Sequence, residues 1–147
     1  MNRIILKSAR TLFILALLSV RAPGADTSSE APVFKDKNLE KAVRKFVFDK
    51  RDNDKPIVEA DVANLSTIQG VGMEIADLSG LEKCASLASL DLSKNRIKAL
   101  TPLVKMTKKD FEGEKRFAPF LNLYVKGNPT KGSQKAQLKD YGVRLND

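Results

Sequence analysis

The 147-residue sequence predicts an α/β fold: a short right-handed solenoid closed by helical N-terminal and C-terminal caps. Three observations predict it. Apolar positions recur with one internal spacing in segments 22 residues apart. Within each segment they alternate at the period of a short strand, and amphipathic helical stretches stand before and after the array.

Residues 1–25 read as a secretory signal peptide. Arg3, Lys7 and Arg10 precede the apolar run Leu12 to Val20, and Ala22-Pro23-Gly24-Ala25 offers small residues for cleavage after Gly24 or Ala25. The run is about half of the ~20 residues that a membrane-spanning helix requires, so cleavage is the stronger reading and a permanent anchor the weaker one. No cysteine stands there for acylation. The mature chain is therefore expected to be soluble and exported, whether periplasmic, secreted or cell-surface associated, with no stable membrane insertion after cleavage. Cleavage lowers the formal charge from +8 to +4. The remaining Lys and Glu are intermixed, without the clustered basic stripe that nucleic-acid binding needs, so nucleic acid is not an expected partner. Residues 26–33 form a polar, flexible lead-in.

Residues 34–64 predict a helical N-terminal cap. Leu39, Ala42, Val43, Phe46 and Val47 recur at helical spacing behind Asp36 as N-cap, Arg51 to Pro56 breaks the helix, and Glu59 to Asn64 forms a second short one.

Residues 65–128 hold the repeats. Leu87-x-x-Leu90-x-Leu92-x-x-Asn95-x-Ile97-x-x-Leu100 is the leucine-rich repeat pattern without a gap. Leu90 and Leu92 point inward from a strand, and Leu87, Ile97 and Leu100 enter the same interior from the rest of the coil. Asn95 turns the corner, and a buried Asn side chain there must hydrogen-bond backbone groups left unpaired by the bend. One period back, Leu78, Leu81 and Cys84 take interior positions, and Leu65, Ile68, Met73 and Ile75 belong to the coil before, with Gly70 inward and Met73 in place of the asparagine. Forward, Phe120-x-x-Leu123-x-Val125-x-x-Asn128 restores the frame. Asn95 and Asn128 lie 33 residues apart, 11 more than the period, which implies an insertion near residues 108–119 that bulges from the convex side or an edge.

Residues 129–147 predict the C-terminal cap. Asn128-Pro129 and Gly132 mark a turn, and Ser133 to Tyr141 form a helix laying Ala136, Leu138 and Tyr141 over the array. Gly142 ends that helix, and Val143 and Leu145 return as an extended segment. About three strands are expected, and signal, caps and repeats are expected to fit in this one chain.

The sequence resembles internalin-type bacterial leucine-rich repeat proteins. The likeness is carried by Phe34-x-Asp36-x-Asn38-Leu39-x-x-Ala42-Val43-Arg44, by Asp61-Val62-x-x-Leu65 and by Ile75-x-Asp77-Leu78-x-Gly80-Leu81-Glu82. It continues in the exit Leu123-Tyr124-Val125-x-Gly127-Asn128-Pro129. It departs at Val58, where a helix-capping Thr or Ser is expected. The resemblance implies an extracytoplasmic protein-recognition module.

The chemistry of most enzymes is missing. The chain has no histidine and a single cysteine, Cys84, which lacks a partner for a disulfide, a zinc site or nucleophilic catalysis and reads as an apolar filler. Carboxylate chemistry through Asp91 with Glu82 or Asp77 is the residual alternative, and Gly70-x-Gly72 is too short for a phosphate loop. The expectation is a non-catalytic protein without cofactor or metal.

Strand residues between the inward leucines face the concave side: Thr67 and Gln69, then Ser89, Asp91 and Ser93, then Asn122, Tyr124 and Lys126. Asp91, Tyr124 and Lys126 form the strongest candidate cluster for a protein partner, since an aromatic flanked by charges supplies both buried area and orientation. The inserted segment, with Phe111 and Phe117, is the competing surface. A monomer or weak oligomer is expected. The alternative function is a structural cell-envelope protein that acts by self-association or wall contact.

Overall fold

The computed structural model describes residues 32–147; the predicted signal peptide and most of the lead-in lie outside the described residues. Four strands form one parallel sheet in chain order, β1 (Thr67–Gln69), β2 (Ser89–Asp91), β3 (Asn122–Tyr124) and β4 (Arg144–Asn146). Parallel neighbours require the chain to travel round between strands, so each pass adds one coil of a solenoid-like α/β fold. The fourth strand exceeds the three expected. Arg144 to Asn146 pairs with β3 in full register, so the closing segment is a continuation of the sheet.

The register stacks Ile68, Leu90, Leu123 and Leu145 in one inward column. Ile68, Leu90 and Leu123 are fully buried, joined by Leu87, Leu92, Ile97, Leu100, Leu78, Leu81 and Cys84 from the turns between strands. Leu65, Met73 and Leu145 are only partly buried, because they sit where the first and last coils meet solvent.

Helix α1 (Lys37–Arg44) closes the first coil with Leu39, Ala42 and Val43. It ends at Arg44, earlier than the apolar spacing suggested, and Phe46 is only partly buried. Gly70 shows why the cap fits: a Cβ there would meet the Ile75 Cδ1 at 2.8 Å and the Ala42 Cβ at 3.1 Å. The following loop is organised by the Arg44 guanidinium, which donates to the carbonyls of Lys50, Asn53 and Lys55 and pairs with Glu40. Helix α2 (Glu59–Val62) starts on half a capping box: the Val58 N–H donates to Asp61, but valine has no oxygen to answer with.

The expected insertion begins inside a helix. Helix α3 (Thr101–Glu112) buries Leu103, Met106 and Thr107, so only the segment after it departs from regular structure. Asp110 closes that turn, its carboxylate accepting from the N–H groups of Arg116, Phe117 and Ala118. A short 3-10 turn at Ala118–Phe120 then shifts the phase. Phe120, expected inward, is 59% exposed, and Leu121 takes the interior position at 0%. Helix α4 (Gly132–Asp140) places Leu138 in the core, whereas Ala136 is exposed and Tyr141 half-buried. Two residues apart on a helix, Ala136 and Leu138 point to opposite sides and cannot both face inward. Gln134 fastens this cap, accepting from the Leu100 N–H and donating to the Thr101 hydroxyl.

Candidate binding surface

Strand alternation that buries the leucine column turns its neighbours outward in rows. One row runs Thr67, Ser89, Asn122, Arg144 and a second Gln69, Asp91, Tyr124, Asn146. Backbone bonds from Gly72 N to Ser93 O and from Lys94 N to Lys126 O extend the ladder beyond the strands and bring Ser93 and Lys126 into the same surface. Thus Ser89, Asp91, Ser93, Asn122, Tyr124 and Lys126 share one face, with Tyr124 directly opposite Asp91. Gln69, Tyr124, Lys126, Arg144 and Asn146 are exposed; Thr67, Ser89, Asp91, Ser93 and Asn122 are half-buried. Sequence reading missed Arg144 and Asn146, because a fourth strand carries no repeat signature.

Two asparagines tie together the coils that carry this face. The buried Asn95 accepts from the N–H groups of Met73 (2.9 Å) and Ile75 (3.0 Å) through its Oδ1. Its Nδ2 donates to Gly70 O at 2.6 Å and Leu92 O at 2.9 Å, with Ser93 O at 3.2 Å. Asn128 repeats the device one coil later, accepting from the Ile97 N–H and donating to the carbonyls of Leu92 and Val125. Each asparagine therefore ties its own turn to the coil before it, fixing the spacing of the outward rows. At the other end Asp36 does the same for the cap: one carboxylate oxygen accepts from Asn38 and Leu39, the other from Ala76 and Asp77. Burial opposes the Asp36 charge, but the four N–H donors together hold its carboxyl below the ordinary value of 3.8.

The competing surface looks different from its expectation. Phe117 is buried at 8% exposure, because Asp110 folds its backbone back against the coil. Phe111 stays at the surface, its ring centroid 5.6 Å from that of Tyr141 and the Lys115 ammonium 4.7 Å above it.

Asp91 is not brought together with Asp77 and Glu82. The latter two line a groove of about 860 Å³ between the turn before β2 and α3, and Asp91 is not part of its lining. Asp77 accepts from Ser79, which lowers its pKa, and Glu82 accepts from the Gly80 N–H. Burial pushes the Cys84 thiol up to about 12, with Glu82 adding to it. Among the described residues no group of three or more His, Cys, Asp or Glu side chains gathers to hold a metal ion, and no helix is long and apolar enough to cross a membrane.

No protein-family model matches the chain, and no curated protein does. Solved structures do. Internalin C2 from Listeria monocytogenes superimposes with a TM-score of 0.55 at 21% identity, covering 78% of this chain and 49% of its own. The fold is that of the internalin-type leucine-rich repeat proteins. An internalin (inlF) of the same organism agrees, at TM-score 0.57 and 19% identity, with 77% of this chain and 29% of its own covered. The chain thus spans about half the length of the first internalin and less than a third of the second. Within the internalin fold, Asn95 and Asn128 are the corner residues of successive coils and Tyr124 sits on the open strand face.

Proposed function

We propose that this chain is an exported recognition module: a short right-handed leucine-rich repeat solenoid, capped at both ends, whose concave strand face binds a protein partner without catalysing a reaction. The observation that carries this reading is the row Gln69, Asp91, Tyr124, Asn146, set in register across four parallel strands. A row of polar side chains around an exposed tyrosine supplies apolar area and directional hydrogen bonds together. Export rests on the charged, apolar and small-residue order of residues 1–25. The chain has no histidine and its one cysteine, Cys84, is buried and protonated, so the face presents neither the commonest general base nor a thiolate.

The test is comparative capture from the native cell envelope with wild-type protein and with Tyr124→Ala and Lys126→Ala. A partner retained by wild type and released by both variants, at unchanged melting temperature, supports the reading. Equal retention by all three refutes it. Light scattering separates the structural alternative, since a stable oligomer that dissociates on Tyr124→Ala would mean the face joins copies of this chain.

A further inference from the structure

The residue before each corner has a left-handed backbone in three successive coils: Gly72 at φ +65°, Lys94 at φ +57° and Gly127 at φ +77°. The outer two are glycine, the residue suited to that region; the middle one carries a long side chain where an L-residue is strained. A corner built three times, with glycine used twice, does not need lysine for its fold. What lysine adds is a cation in a particular place. Its N–H donates to Lys126 O, and its Cα and Cγ lie about 3.4 and 3.5 Å from where a Cβ on Gly127 would stand, so Lys94 stacks on the coil that carries Lys126.

The placement divides the strand face by charge. Over β1 and β2 the outward residues Thr67, Gln69, Ser89, Asp91 and Ser93 include one carboxylate and no cation. Over β3 and β4, Lys126 and Arg144 are joined by Lys94, stacked against Lys126 from the β2 coil, and Asp147 is engaged by Lys135 at 3.1 Å. None of Lys94, Lys126 and Arg144 has an acidic partner within 4.0 Å among the described residues, and Tyr124 stands on the strand between them, 38% exposed.

We infer that the β3–β4 half of the face, with Lys94 as its selecting residue, receives an acidic segment of a partner protein. Tyr124 takes its apolar contact, and carboxylates meet Lys94 and Lys126 at one end and Arg144 at the other. Asp91 repels the segment from the β1–β2 half and so sets its position. The inference rests on the concave-face reading and adds the chemistry of the occupant. Backbone strain held at a binding position has a testable signature: removing it should help the fold and harm the binding.

The probe is a fluorescein-labelled hexaglutamate peptide, followed by anisotropy against the full chain at low ionic strength. Lys94→Gly and Lys94→Asn should each weaken binding about five- to tenfold, as should Lys126→Gln, the scale expected for one charge contact. Lys41→Gln on α1 and Lys139→Gln on α4 make the same change in net charge and should stay within about twofold of wild type. The urea midpoint of Lys94→Gly should equal or exceed wild type. Equal losses from Lys41→Gln and Lys94→Gly would mean diffuse attraction and overturn the inference, as would a lowered midpoint in Lys94→Gly. Tighter binding of a heparin oligosaccharide with the same residue dependence would overturn it in favour of an anionic polysaccharide. If the envelope partner is lost with Tyr124→Ala but unaffected by Lys94→Gly, the concave-face reading stands and the acidic-segment inference alone fails.

Discussion

Replacing Asn95 with leucine removes a side chain that serves five backbone groups, and the structure says which of them are left stranded. Leu92 O keeps the Asn128 amide, and Ser93 O keeps the Gly72 N–H. The Met73 and Ile75 N–H groups and Gly70 O lose the partner that Asn95 supplies. An unsatisfied buried group costs about 1–3 kcal/mol. With Met73 only partly buried and the leucine gaining some apolar burial, a loss of about 3–5 kcal/mol follows, a large share of the 5–15 kcal/mol that typically holds a domain. Asn128→Leu strands chiefly the Ile97 N–H and should cost about 1–2 kcal/mol. In urea denaturation followed by circular dichroism, Asn95→Leu should move the midpoint down by about 2 M and Asn128→Leu by less than half of that. A neutral Asn95→Leu, or a larger effect from Asn128→Leu, would refute the reasoning.

Asp36 provides a pH test. Its folded pKa is depressed, as are those of Glu40 and Asp77, so their contribution to stability is present above the unfolded values and is lost as pH falls through the folded ones. Asp36→Asn should cost about 1–2 kcal/mol at pH 7 and flatten the acid limb below about pH 4, read from melting temperature against pH. Gly70→Ala should destabilise by about 1–2 kcal/mol, because the new methyl presses on Ala42 and on the end of Ile75, and Gly70→Val by more. Cys84, buried and with its thiol at about 12, should resist a thiol reagent at pH 8 in the native protein and react at once in urea.

The central coil was legible because its pattern is redundant: Leu87, Leu90, Leu92, Asn95, Ile97 and Leu100 each repeat the same inward requirement, and all are buried. Where one local bond resets the phase, the pattern misleads. The 3-10 turn at Ala118–Phe120 exchanges Phe120 for Leu121, and no count of apolar positions separates two adjacent large side chains. Helix α3, which leads into the insertion, was not read from the sequence, since Leu103, Met106 and Thr107 give only a narrow buried stripe. The fourth strand was expected only as a returning extended segment through Val143 and Leu145, because Asp147 stands where the earlier coils have Leu92 and Val125. Of the candidate surface, the alternation placed Asp91, Tyr124 and Lys126 on one face, but the stacking of Lys94 beside Lys126 depends on a backbone angle that a residue name does not disclose.

Crosslinking from defined positions tests the concave-face claim most directly. A photoreactive phenylalanine analogue placed at Tyr124, and in a separate protein at Phe111 on the inserted segment, compares the two surfaces under identical conditions in the native cell envelope. The account predicts a protein adduct from position 124 and none from position 111. An adduct from position 111 alone, or only crosslinks between copies of this chain from position 124, would contradict it.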